Sequence, residues 1–229
     1  MKAKILEYFN SFQGEGKYAG VRQVFVRFFG CHMHCRWCDT PDSIGDGRRE
    51  FMELTVAELA HKIRPLLSDI HSVSLTGGEP LLQVEFIKEF IPVIRESGAQ
   101  VYLETSGVLH APLRDIIDDV DIVAMDFKLP SSTQCRSFWK EHEEFLKIAA
   151  QKDVFIKAVV TSQTAEEDIR TAISLILKTD PQPLFILQPN YFDLGNGVMN
   201  RCLEFYKYCA QELTNVRVMP QMHKMMGIK

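Results

Sequence analysis

The chain has 229 residues, 46% of them hydrophobic, and a formal net charge of −4. That is enough apolar material for one sizeable α/β domain over residues 1–229, and the charge leaves no electrostatic footprint for nucleic acid. No basic run marks a membrane surface, no apolar run approaches the roughly 20 residues that span a bilayer, and the opening stretch MKAKILEYFNSFQGEG has no long apolar segment, so a soluble cytoplasmic protein is expected.

In chain order, RQVFVRFF (residues 22–29) reads as a strand, rich in β-branched and aromatic residues. TVAELAHKIRPLL (55–67) reads as a helix that starts on a Thr55/Glu58 capping box. SVSLT (72–76) is a strand closed by Gly77-Gly78. EFIKEFIPVIRES (85–97) is a helix that Pro92 either kinks or restarts. Further strands are predicted at QVYLET (100–105), DIVAMDF (121–127), DVFIKAVV (153–160), LFILQP (184–189) and NVRVMP (215–220). Helices are predicted at 138–151, 165–178 and 198–213. Repeated β-α units with apolar strands indicate a mostly parallel sheet, open or closed into an incomplete barrel. The polar, Gly-rich segments GCHMHCRWCDT, TGGEP, ETSG, DFKLPSS and QPN all follow strand C-termini, the edge where parallel folds bind ligands.

The first of these segments carries Cys31, Cys35 and Cys38. In a reducing compartment, clustered cysteines bind metal or do redox chemistry. A structural zinc site takes four ligands, usually as two pairs, and no second pair lies downstream. A redox pair of Cys35 and Cys38 leaves Cys31 without a role. Three soft thiolates on one loop suit a cubane iron–sulfur cluster with one iron open to a small molecule. Cys202 and Cys209, seven apart on a predicted helix, read as buried small apolar residues.

Cys-x3-Cys-x2-Cys with Trp37 before its last cysteine resembles the signature of the radical S-adenosylmethionine superfamily, and TGGEP resembles its Gly-Gly-Glu-Pro motif. Without the resemblance, TGGEP is a tight turn. FNSFQGEGKYAGVRQVFVRFFGC before the cluster, CDT after it, DFKLPSS, and QMHKMMGIK near residue 229 are similar to the 7-carboxy-7-deazaguanine synthase family. The resemblance implies an abbreviated α/β barrel, a homodimer, a 4Fe–4S cluster, S-adenosylmethionine and magnesium. It implies contraction of 6-carboxy-5,6,7,8-tetrahydropterin to 7-carboxy-7-deazaguanine with loss of ammonia, in queuosine or 7-deazapurine biosynthesis. The electron would come from a reduced flavodoxin or ferredoxin-like partner. An activase of a glycyl-radical enzyme, such as anaerobic ribonucleotide reductase, is the alternative with the same cysteine spacing.

Carried over residue by residue, Cys31, Cys35 and Cys38 hold the cluster and Thr40 holds magnesium. The resemblance implies that Trp37, Cys38, Asp39, Gly78, Glu79, Ser106, Lys128 and Ser131 bind S-adenosylmethionine. It likewise implies that Phe12, Gln13, Gly14, Glu15, Arg27, Thr76, Glu104, Gln188 and His223 bind substrate. Arg27 offers a planar fork to a carboxylate, Thr40 a neutral oxygen to a hard ion, and Glu104 an acceptor for a guanidine-like edge. Without the resemblance these residues read as a strand-end ion pair, a turn cap and a rim residue, and His223 as a solvated tail.

Overall fold

The computed structural model describes residues 1–45, 50–179 and 182–229. Two long strands, β1 (Lys2–Phe12) and β2 (Arg22–Phe28), pair antiparallel, and β3 (Met52–Thr55) pairs antiparallel with β1 on its other side. From β2 onward the pattern is β-α and every pairing is parallel. It runs through α1 (Val56–Ile63), β4 (Ser72–Gly77), α2 (Val84–Glu96), β5 (Gln100–Thr105), α3 (His110–Arg114) and β6 (Ile122–Asp126). It continues through α4 (Pro130–Thr133), α5 (Trp139–Ala149), β7 (Asp153–Val160), α6 (Glu166–Ile176), β8 (Leu184–Pro189), α7 (Val198–Glu212), β9 (Val216–Val218) and α8 (Met222–Met226). The sheet order is β3-β1-β2-β4-β5-β6-β7-β8-β9. Neither end strand pairs with the other, so the parallel strands form a partial α/β barrel, as expected.

The predicted strands and main helices form where the apolar pattern places them, and the Thr55/Glu58 capping box closes on both sides. Helix α2 continues through Pro92. That residue is exposed, so the carbonyl it strands can turn to water. Strands β1 and β3 are additional to the sequence reading. Lys2 to Ile5 alternate exposed and buried, but the pairing register shifts between Ile5 and Glu7 and the rest of β1 is mostly half-buried, so the alternation that marks a strand does not persist.

Period-two alternation divides the strands between two faces. Val24, Val26, Val73, Leu75, Val101, Leu103, Val123, Met125, Val154 and Ile156 face the helices in the main core. The intervening positions, Tyr102, Ile122, Phe155, Leu184 and Ile186, pack on the concave face as a smaller apolar floor. Six of the parallel strands carry a polar residue on that same face, beyond the floor: Arg27, Thr76, Glu104, Asp126, Lys157 and Gln188. The register keeps them adjacent, Arg27 opposite Thr76 and Asp126 opposite Lys157.

Candidate active site

These polar strand ends line one cavity of about 390 Å³, within the ~300–1,000 Å³ of small-molecule sites. All five of the strand-end segments contribute to it, through Cys31, Thr76, Glu104, Asp126 and Gln188 among others. The two remaining walls are the loop after β1, with Gln13, Gly14 and Glu15, and the segment around α8, with Gln221 and His223.

Cys31, Cys35 and Cys38 all face this cavity and are free thiols. A single ion with bonds of ~2.3 Å would gather its sulfurs to about 3.8 Å. Among the described residues, the three-ligand group within 4.8 Å is Glu15, Asp39 and His223, not the cysteine trio. Burial pushes the Cys31 thiol up and the Cys35 thiol up to about 12, so iron binding must release those protons. The cysteine loop is held against β4 by the Glu79 N–H, which donates to the Gly30 carbonyl at 2.8 Å. A Cβ on Gly78 would overlap that carbonyl, so the strand end and the loop can meet only there with glycine.

Lys128 reaches over the loop. Its Nζ lies 2.8 Å from Asp126 Oδ2 and 5.0 Å from the Trp37 ring centroid. Burial alone would lower the Lys128 pKa, but Asp126 outweighs it and the pKa is raised. Asp126 Oδ1 and Gln188 Oε1 are buried acceptors with no protein partner. Buried acceptors are nearly always satisfied. A cofactor carrying hydroxyl and amino donors fits this cavity, with three soft thiolates at hand for the cluster.

Glu104 accepts from Gln13 Nε2 at 2.7 Å, Ser74 Oγ at 3.1 Å and Thr76 Oγ1 at 2.8 Å. A carboxylate has about four lone-pair sites, so it retains capacity for a ligand N–H. Arg27 donates from Nε to Glu7 Oε1 at 2.9 Å, which leaves its outer nitrogens uncommitted to Glu7. Lys229 Nζ contacts the other Glu7 oxygen. Burial would raise the Glu7 pKa, but the bonds from Lys229 and Arg27 prevail and lower it.

Glu15 is paired with Lys157, whose ammonium also lies 3.7 Å from Asp126. Burial would raise the Glu15 carboxyl, yet Lys157 holds it down at about 2. Gln221 Nε2 bridges Glu15 at 2.6 Å and Asp39 at 3.0 Å. His223 packs on Gly14, where a Cβ would collide with its ring.

Of the residues singled out from the sequence, Phe12, Gln13, Gly14, Glu15, Arg27, Cys31, Cys35, Trp37, Cys38, Asp39, Thr40, Thr76, Gly78, Glu104, Ser106, Lys128, Gln188 and His223 line the cavity. Glu79 and Ser131 do not. Glu79 is fully buried and serves Thr105, Ser106 and Leu81. The Ser131 hydroxyl and N–H both donate to Asp168. Neither His32 nor His34 lines the cavity. Sequence reasoning missed Glu7, Asp126, Lys157 and Gln221. Asp126 and Lys157 were legible as polar residues at or near apolar strand ends. Glu7 and Gln221 had no local signal, because their partners lie far away in sequence.

The partial barrel and its three-thiol loop define a radical S-adenosylmethionine enzyme, and the Radical SAM superfamily model matches residues 25–174. The chain is 37% identical over 244 residues to the 7-carboxy-7-deazaguanine synthase of Geobacter sulfurreducens, covering 98% of this chain and 97% of the relative. It is 32% identical to that of Thermococcus kodakarensis with full coverage of both. The crystal structure of QueE from Escherichia coli superposes with a TM-score of 0.66 at 22% identity, over 97% of this chain and 95% of that one. Streptococcus suis SuiB bound to S-adenosylmethionine shares the fold at a TM-score of 0.57 and 17% identity, covering 83% of this chain and 48% of that one. This chain belongs to the 7-carboxy-7-deazaguanine synthase family of that superfamily.

Proposed function

We infer that the chain converts 6-carboxy-5,6,7,8-tetrahydropterin into 7-carboxy-7-deazaguanine with loss of ammonia. The observation that carries this reading is one cavity shared by three thiols, the Arg27 guanidinium and the Glu104 carboxylate. The near full-length relatives support it over an activase, which would act on a protein backbone.

Cys31, Cys35 and Cys38 hold the cluster, and Trp37, Asp39, Gly78, Ser106 and Lys128 surround S-adenosylmethionine. When bound, the cluster and S-adenosylmethionine would supply the radical chemistry that activates the pterin. The protein positions the pterin and keeps water out. Arg27 presents its outer nitrogens to the substrate carboxylate, oriented by Glu7 behind it. Glu104 reads the amino and ring N–H edge, stacked over the Tyr102 and Phe155 floor that also lines the cavity. Burial lowers the His223 pKa, so its ring is neutral near pH 7 and one nitrogen can accept a substrate N–H. Thr40, whose backbone carbonyl is tied to Ser43 Oγ at 2.7 Å, offers its hydroxyl to magnesium.

Among the described residues no helix is long and apolar enough to cross a membrane. A cytoplasmic homodimer fed by a flavodoxin or ferredoxin-like donor completes the reading, supported by the resemblance in sequence.

Anaerobic incubation with the carboxy-tetrahydropterin, S-adenosylmethionine and dithionite tests it. Mass detection of the deazaguanine is expected. Radical installation on a glycyl-radical protein, with no deazaguanine, would replace this reading by the activase.

A further inference from the structure

We infer that His142 is a positioning residue for S-adenosylmethionine, setting the distance between the loop after β5 and the loop after β6. The inference deepens the proposed function, because it rests on Ser106 and Lys128 holding the cofactor.

His142 sits on α5, fully buried, and does not line the cavity. Its Nδ1 lies 2.9 Å from the Gly107 carbonyl oxygen, and its Nε2 lies 3.1 Å from the Lys128 backbone nitrogen. A carbonyl can only accept and a backbone N–H can only donate. Nδ1 therefore carries the ring proton, and Nε2 presents a lone pair to Lys128. One neutral imidazole thus joins the residue after Ser106 to the backbone of Lys128. Burial, which lowers its pKa to about 4, keeps the ring in that form.

The ring has little room to move. Phe127 packs at 5.1 Å between centroids and Trp139 at 5.9 Å. On the Gly107 side, φ is +68°, and a Cβ there would press on Met125 and the ring itself. Each joined loop continues into the cavity. Ser106 is locked by Glu79, and the Lys128 side chain spans Asp126 and Trp37. A shift of the Lys128 backbone would carry its ammonium off both partners. Nothing else among the hydrogen bonds of the described residues ties Gly107 to Lys128.

Two substitutions separate positioning from simple core filling. In His142→Gln the side-chain oxygen can stand near the Nε2 position and still accept from Lys128. In His142→Asn the amide can stand near Nδ1 and still donate to Gly107, but Lys128 N–H is left bare. The dissociation constant of S-adenosylmethionine is measured on cluster-loaded protein without reductant, beside each variant's thermal midpoint. His142→Gln should stay within about threefold of wild type. His142→Asn should bind about tenfold more weakly, the loss of one buried bond. Equal affinity in His142→Asn and wild type overturns the inference. So does weakening that is equal in both variants and follows the midpoints. Failure of the wild type itself to bind S-adenosylmethionine overturns the cofactor reading and this inference with it. Nitrogen NMR of the wild-type chain gives a check that no variant has to survive. A proton on Nδ1 and none on Nε2 is expected, and a protonated Nε2 contradicts the bond to Lys128.

Discussion

The Glu79 carboxylate takes both donors of Ser106, the backbone N–H at 2.9 Å and the hydroxyl at 2.6 Å. Its other oxygen accepts from Thr105 Oγ1 at 2.9 Å and Leu81 N at 3.2 Å. The acidic residue of TGGEP is thus a buried knot that joins the turn after β4 to the turn after β5. Glu79→Ala would strand these donors in the interior. A loss of about 3 kcal/mol in unfolding free energy is expected, read from the urea midpoint. Its cluster-loaded form should bind S-adenosylmethionine more weakly, because Ser106 loses its anchor. A variant as stable as wild type would show that the knot is not needed.

The motif was visible, and so was its place at a strand end, because the apolar run SVSLT stops at Gly77. The direction of the Glu79 side chain was not, since it depends on Thr105 and Ser106, which another strand brings into reach. The same holds for Ser131, consumed by Asp168, and for Glu7, whose partners Arg27 and Lys229 are distant along the chain. The strand-end loops were readable because period two and chain polarity place them on one edge. Strand β1 was not, because its alternation breaks at the register shift after Ile5 and its later residues are mostly half-buried.

Lys157 stands between two carboxylates, Glu15 and Asp126, and is only about a fifth exposed. Lys157→Met would leave both acids without that cation and should cost about 3 kcal/mol. The pair also sets an acid limit. Glu15 falls from 4.5 to about 2 in the fold. A depressed carboxyl contributes stability above its unfolded value, and that contribution is lost as pH falls through its folded value. The stability gap between wild type and Glu15→Gln should therefore be constant above pH 4.5 and shrink between pH 4.5 and 2. Urea midpoints across that range provide the check, and a gap that widens on acidification would contradict the pairing.

Cys202 and Cys209 are fully buried on α7, and burial pushes each thiol up to about 12. Thiolate, not thiol, reacts with alkylating agents. Native cluster-free protein should leave both unlabelled over a time in which the half-buried Cys38 of the cysteine loop reacts, and both should label after denaturation. Peptide mass mapping reads the outcome. Rapid native labelling at Cys202 would mean that α7 opens.

The central claim is that one cavity holds the cofactor by its thiol loop and the pterin by Arg27 and Glu104. The most direct test is a pair of rates in Arg27→Ala, S-adenosylmethionine cleavage and deazaguanine formation, measured under the same anaerobic conditions. The account predicts that kcat/KM for the carboxy-pterin falls about 100-fold, the loss of a charge-assisted carboxylate clamp, while cleavage of S-adenosylmethionine without the pterin persists. Unchanged pterin turnover, or loss of both rates together in a protein that still carries its cluster, would contradict it.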